Sequence, residues 1–197
     1  MIQDIRTISF EADKLPVPTC DILRYSGCRE QNDPQLCALA NDCLKELLPM
    51  LSLKAVYTTL PVKFSGTVAD FGFCKHNSKS LLTFLGGDCN VHIFAATVGI
   101  GADRLISRYS PILPSRAVTI DAAATAAIEC WCDYLCSEVF SINASARFSP
   151  GYGDLPLSMQ KDILSLLDTH LNIGVSMMDS MLLTPTKSVT AIAKAKD

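Results

Sequence analysis

The chain has 197 residues, 49% hydrophobic and 19% charged, which supplies a buried core and excludes a disordered or fibrous chain. Lys and Arg total 17 against 20 Asp and Glu, so a net charge of -3 leaves no basic footprint for nucleic acid. Residues Met1 to Asp13 interleave Asp4, Arg6, Glu11 and Asp13 with apolar positions, unlike an export leader. The most apolar stretch, Ala117 to Cys136, is interrupted by Asp121, Glu129 and Asp133, short of the roughly 18 unbroken apolar residues of a membrane span. A cytoplasmic protein without a membrane partner is expected, and there the nine cysteines read as reduced thiols.

In chain order, Asn32-Asp33-Pro34 provides an N-cap and a first-turn proline for an amphipathic helix carrying Leu36, Leu39, Ala40, Cys43, Leu44, Leu47 and Leu48 and ending near Pro49. Lys54 to Phe73, rich in Val, Tyr, Thr and Phe and broken by Pro61 and Gly66, predicts two or three short strands in hairpin order. Ser78 to Phe84 predicts a short helix stopped by Gly86-Gly87, and Asn90 to Val98 a buried strand. Helices follow at Ala102 to Tyr109 and from about Arg116 to Phe140, the latter alanine-rich in its first half, where small residues permit close approach by a neighbour. Asn143 to Pro156 is a loop, Leu157 to Leu171 an amphipathic helix, and Ile173 to Ala193 a final hairpin. With no repeats and no linker, these elements predict one α+β domain over residues 1–197, built on an antiparallel sheet.

Familiar catalytic chemistry is missing. His76, His92 and His170 lie far apart, with no i, i+4 pair for helical zinc, so no metal site is expected. Of Cys130, Cys132 and Cys136, only the last two share a helix face, and they read as core thiols. Gly99-Ile-Gly101 falls between a strand and a helix, but Arg104 stands where a dinucleotide fingerprint has its third small residue, so the segment reads as a turn. No nucleophile elbow or P-loop occurs. Asp168-Thr169-His170 with Gly174 approaches a D-x-H-x-x-G corrin-ligand signature with the glycine one residue late, and a helix C-terminus accounts for the same letters.

One loop concentrates binding chemistry: Arg147-Phe-Ser149-Pro-Gly151-Tyr152-Gly-Asp154-Leu-Pro156. An arginine clasps a carboxylate bidentately, a glycine lets backbone approach a ligand, a proline limits loop entropy, and a tyrosine offers a face and a hydroxyl. Residue chemistry alone leaves two readings open, a grip for a small anionic ligand and a structural turn with a solvated arginine.

The loop resembles the R-x-x-x-G-Y motif of the S-adenosylmethionine-binding activation domain of cobalamin-dependent methionine synthase, in its short stand-alone form. Asp121 to Tyr134 is similar to that family's alanine-rich helix, and Asp179-Ser180 with Pro185, Ser188, Val189 and Thr190 to its closing strands, so the resemblance runs over residues 90–193. Leu23-Arg24-Tyr25-Ser-Gly27 resembles the opening of the stand-alone forms. The family's proline after Gly-Tyr is Gly153 here, and no counterpart of its early ligand-binding aspartate stands out.

The resemblance implies a twisted antiparallel sheet with flanking helices and a site for S-adenosylmethionine made of Glu129, Arg147, Ser149, Gly151 and Tyr152. Arg147 would hold the ligand carboxylate, Glu129 would bind its ammonium directly or through water, and Tyr152 with the Gly151 backbone would shape the adenosyl end, with the Ser149 to Tyr152 backbone as the open loop. It also implies a reactivation subunit in methionine biosynthesis. Such a subunit supports reductive methylation of cob(II)alamin to methylcobalamin on a partner methionine synthase or related corrinoid protein, with electrons from a flavodoxin- or ferredoxin-type donor. Cobalamin is then carried by the partner, and the chain is a methyltransferase component with no turnover of its own and no catalytic acid or base. The alternatives are a reactivator of another corrinoid methyltransferase and a non-catalytic S-adenosylmethionine-binding or structural protein.

Overall fold

The computed structural model describes residues 4–28, 33–144 and 146–196. Its frame is an antiparallel sheet organised around two long strands, β2 (Leu53–Ser65) and β5 (Cys89–Thr97). One edge of β2 takes β1 (Arg6–Phe10) along its first half and β3 (Val68–Asp70) at its end, and β3 in turn pairs with β4 (Lys75–Asn77). Its other edge pairs with β5, which carries the late strand β8 (Ser188–Lys194) on its far side. The expected break at Pro61 is absent: β2 runs through it. Pro61 falls between Tyr57, where β1 pairing stops, and Lys63, where β3 pairing starts, a gap where a missing ladder donor is tolerated.

Side chains alternate across the sheet into two cores. Ala55, Phe94, Ala96, Ala191 and Ala193 face helices α1 (Thr19–Tyr25), α2 (Pro34–Leu47), α4 (Gly101–Tyr109) and α5 (Pro114–Tyr134). On the opposite face Val56, Val91, Ile93, Ala95 and Ile192 meet α3 (Lys79–Leu85), α6 (Met159–Leu167) and α7 (Thr169–Ile173). The α+β class, the antiparallel sheet and the flanking helices are therefore as expected. The alanines of α5 lie buried among α1, α2 and α4, the close approach that small residues allow, and Trp131 Nε1 donates to Lys54 O at 3.1 Å to fasten α5 to β2.

Local signals account for most boundaries. Asp33 caps α2, its side chain accepting from Gln35 N and Leu36 N; Asn32 lies outside the described residues. Ser78 caps α3, and Gly86 ends it in the left-handed region. The turn at Gly99 and Gly101 brings backbone onto backbone: a Cβ at Gly101 would lie 1.9 Å from Met50 O, which explains the glycine without any nucleotide.

Three further expectations need correction. The helix predicted to run to Phe140 is α-helical only to Tyr134 and closes with a π turn over Leu135–Val139, where Phe140 N donates to Leu135 O. The helix predicted over Leu157 to Leu171 is two helices, because Asp168 adopts φ 44 between α6 and α7. The final hairpin is only the two-residue pairing of β6 (Ser176–Met177) with β7 (Leu183–Thr184); β8 instead joins the main sheet against β5.

Candidate functional site

Glu129 and Asp133 are four residues apart on α5, so both carboxylates project from one helix face. Arg147 enters between them from the loop after the π turn. Its Nη2 donates to Glu129 Oε2 at 2.5 Å, and its Nη1 donates to Asp133 Oδ1 and, at 2.7 Å, to Ala144 O. The arginine side chain is only 15% exposed, whereas Glu129 and Asp133 are 41% and 48% exposed, so a shielded cation is flanked by two water-facing anions. Burial alone would weaken the guanidinium's hold on its proton; the hydrogen bonds to Asp133 and Glu129 overcome this and hold it more firmly than usual.

The loop is moored at both ends. Phe148 and Ile192 exchange backbone hydrogen bonds at 2.8 Å each way, which ties the start of the loop to β8. At the far end the Asp154 carboxylate accepts from Ser78 Oγ at 2.5 Å, Lys79 N at 2.8 Å and Ser80 N at 3.1 Å, a side-chain cap supplied to α3 from outside its own segment. Those donors hold the Asp154 carboxyl well below the usual carboxylate range. In between, Tyr152 N donates to Ser149 O at 3.0 Å and Gly151 N to Leu155 O at 2.9 Å.

Between α5, this loop, α6 and β8 lies a cavity of about 200 Å³ lined by Glu129, Arg147, Ser149, Pro150, Tyr152, Gln160 and the Ser188 to Thr190 segment. Gln160, though buried, is satisfied: its Nε2 donates to Met181 O at 3.0 Å and its Oε1 accepts from Thr190. A cavity of this size is below the roughly 300–1,000 Å³ of sites that enclose a whole small ligand, so it suits one end of an extended molecule. A larger cavity of about 470 Å³, lined by Lys14, Pro16, Cys130, Asp133, Tyr134, Ser137 and Glu138, lacks both Arg147 and the Gly-Pro loop.

No family model and no curated protein matches the chain. Among solved structures 13 chains match. One is a crystal structure of the MetH reactivation domain bound to AdoHcy, with a TM-score of 0.76 and 16% sequence identity, covering 98% of this chain and 78% of that one. The chain has the fold of the MetH reactivation domain. That is the fold implied by the resemblance of the Arg147 loop, and at such low identity the likeness speaks for the fold alone.

Within this reactivation-domain fold, four of the five expected site residues, Glu129, Arg147, Ser149 and Tyr152, line one cavity. Gly151 does not line it: its N–H is spent on Leu155 O, and its φ of 91 serves the turn. Asp133, Gln160, Ser188, Val189 and Thr190 complete the surroundings and were given no role by the motif. Asp133 was legible as the acid four residues beyond Glu129; Gln160 carried no local signal. Gly153, where the resembling motif has proline, has φ 54 and would place a Cβ 2.5 Å from Ser80 Oγ, so this loop conformation excludes proline and favours glycine.

Cys132, Cys136, His92 and His170 are structural. All nine cysteines are unbridged. Cys132 and Cys136 are buried, and burial pushes their thiols up, away from redox or nucleophilic chemistry. His170 sits on α7 facing Ser176 Oγ at 3.0 Å, and Gly174 caps that helix in the left-handed region. His92 stacks on Phe140, and burial lowers its tendency to protonate. Among the described residues, no helix is long and apolar enough to cross a membrane.

Proposed function

We propose that this protein binds S-adenosylmethionine at the Arg147 cavity and serves, in the cytoplasm, as the reactivation subunit of a cobalamin-dependent methionine synthase. The observation that carries the reading is the gathering of Glu129, Arg147, Ser149 and Tyr152 around one cavity, in a fold shared with a domain solved with AdoHcy.

The amino-acid end of the ligand is a zwitterion, and the ion pair at the cavity is its mirror image. Arg147 offers Nη2 to a carboxylate once Glu129 lets go, and the freed Glu129 accepts an ammonium, so charge is conserved in the exchange. Only that one contact has to open: Asp133 and Ala144 keep Nη1 in place throughout. Ser149, Tyr152 and the Ser188 to Thr190 segment form the rest of the wall, and the exposed Tyr152 ring offers a face to a flat base outside the small cavity. When bound, S-adenosylmethionine supplies an electrophilic methyl group for the cobalt of a corrin carried by the partner protein. The chain's own part is to fix the ligand and exclude water around it, with no proton to move. A flavodoxin- or ferredoxin-type donor would supply the electron that reductive methylation requires.

Isothermal titration with S-adenosylmethionine tests the reading: saturable binding that is lost in a folded Arg147→Ala variant is expected. The fully satisfied ion pairs of Arg147 also fit a purely structural node tying the loop to α5. Absence of binding to the wild-type chain would leave that second reading in possession of the site.

A further inference from the structure

At the far end of the sheet from β8, the turn between β3 and β4 meets α6. Cys74 ends the turn and His76 lies two residues on, in β4, and their donor atoms come together on the same side. Asp162, 86 residues further on, reaches the same point from α6, its Oδ2 at 3.0 Å from His76 Nε2. One donor atom from each of the three lies within 4.8 Å of the other two.

We propose that Cys74, His76 and Asp162 form a binding site for a thiophilic divalent cation of the Zn²⁺ type, with the fourth position left to water. A tetrahedral ion with bonds of about 2.0–2.3 Å sets its ligand atoms roughly 3.3–3.8 Å apart, so the 3.0 Å imidazole–carboxylate contact and the 4.8 Å limit on the group bracket what one ion needs. Sulfur, imidazole nitrogen and carboxylate oxygen are the mixed donor set that Zn²⁺ accepts and that Mg²⁺ or Ca²⁺ does not. His76 is 15% exposed and Asp162 42%, so the site is sheltered on the protein side and open to water along the carboxylate.

The donor set matches a dication in charge as well as in type: a thiolate from Cys74 and the Asp162 carboxylate together carry two negative charges. On binding, the thiol proton leaves to solvent and sulfur bonds to the ion, while the imidazole proton moves from Nε2 to Nδ1. The site then holds one dication against one thiolate and one carboxylate and is neutral. Bound metal would clamp the β3–β4 turn to α6, a helix whose Gln160 lines the Arg147 cavity.

The test titrates Zn²⁺ into the reduced full chain against a competing chromophoric chelator, with Co²⁺ as the spectroscopic stand-in. One equivalent bound, with a thiolate-to-cobalt charge-transfer band that disappears in Cys74→Ser, is expected. Asp162→Asn, at a half-exposed position and with its fold checked by circular dichroism, should weaken binding by more than the roughly 10–100-fold that loss of an outer-shell partner costs. Failure of one equivalent to bind, a charge-transfer band surviving in Cys74→Ser, or unchanged affinity in Asp162→Asn would overturn the proposal. None of these residues lines the Arg147 cavity, so either site can fail without the other.

Discussion

Replacing Arg147 by alanine removes the only cation that lines the 200 Å³ cavity among the described residues and leaves Glu129 and Asp133 facing each other across one helix turn. For the ligand, the variant forfeits the charge-assisted hydrogen bond that Nη2 gives a carboxylate, worth about 1.5–3 kcal/mol, partly offset because Glu129 no longer has to be displaced. A net loss of about 2 kcal/mol corresponds to roughly 30-fold weaker binding of S-adenosylmethionine. For the fold the cost is smaller. Breaking a fully buried pair costs about 3–5 kcal/mol, but the stranded carboxylates are 41% and 48% exposed and water takes over much of the guanidinium's part, leaving about 1–2 kcal/mol. Arg147→Lys keeps the charge but loses the planar fork, so its affinity should fall between the two, about tenfold below wild type. Isothermal titration reads the affinities, and circular dichroism with a thermal melt certifies the fold of each variant. Wild-type affinity in a folded Arg147→Ala protein would refute the assigned role of this residue.

Glu129→Gln preserves shape while removing the charge meant for the ligand ammonium; about tenfold weaker binding by the same titration is expected, and no change would free Glu129 of that role. Gly101→Ala drives a methyl into Met50 O and should destabilise the fold by about 3 kcal/mol in urea denaturation, since backbone on both sides cannot yield. Asp154 is depressed in the folded state relative to its ordinary value of 3.8, so its stabilising effect is complete above about pH 4 and is lost as the pH falls through the lower folded value. Urea midpoints measured against pH should therefore show an acid decline that Asp154→Asn flattens.

Where the fold was legible, a local device spoke for it: Asp33 and Pro34 at the start of α2, Ser78 and Gly86 around α3, the alanine run of α5. Where it was not, the decision is tertiary. Strand β1 was not foreseen because Arg6–Phe10 is short and only Ile8 and Phe10 of it turn toward the core; its pairing with β2 makes it a strand. Asp168 interrupts α6 at a residue with no glycine's freedom, and the turn is held by Asn172 Nδ2 donating to Leu167 O at 2.7 Å, a contact that no periodicity announces. Strand β8 was assigned to a terminal hairpin although Ala191 and Ile192 enter opposite cores, the mark of a strand covered on both faces.

The two candidate sites divide along the same line. The Arg147 site was readable because its chemistry is packed into one short loop and one helix face, and a motif of neighbouring residues survives in sequence. What the motif omitted is long-range: Ser78 holding Asp154 from 76 residues away, and Gln160 bonding Met181 O and Thr190 at once. The Cys74, His76 and Asp162 group escaped a search for paired histidines at helical spacing because its two near ligands have strand spacing and its third comes from α6. Extended chain puts i and i+2 on one face as surely as a helix does i and i+4, so a Cys-x-His pair merits the attention given to His-x-x-x-His. The two sites also differ in what a ligand must displace. At Arg147 the opposing charges are already paired, and a ligand has to exchange for a contact in place. At Cys74 the ion takes the place of the thiol proton and enters the contact between His76 Nε2 and Asp162 Oδ2.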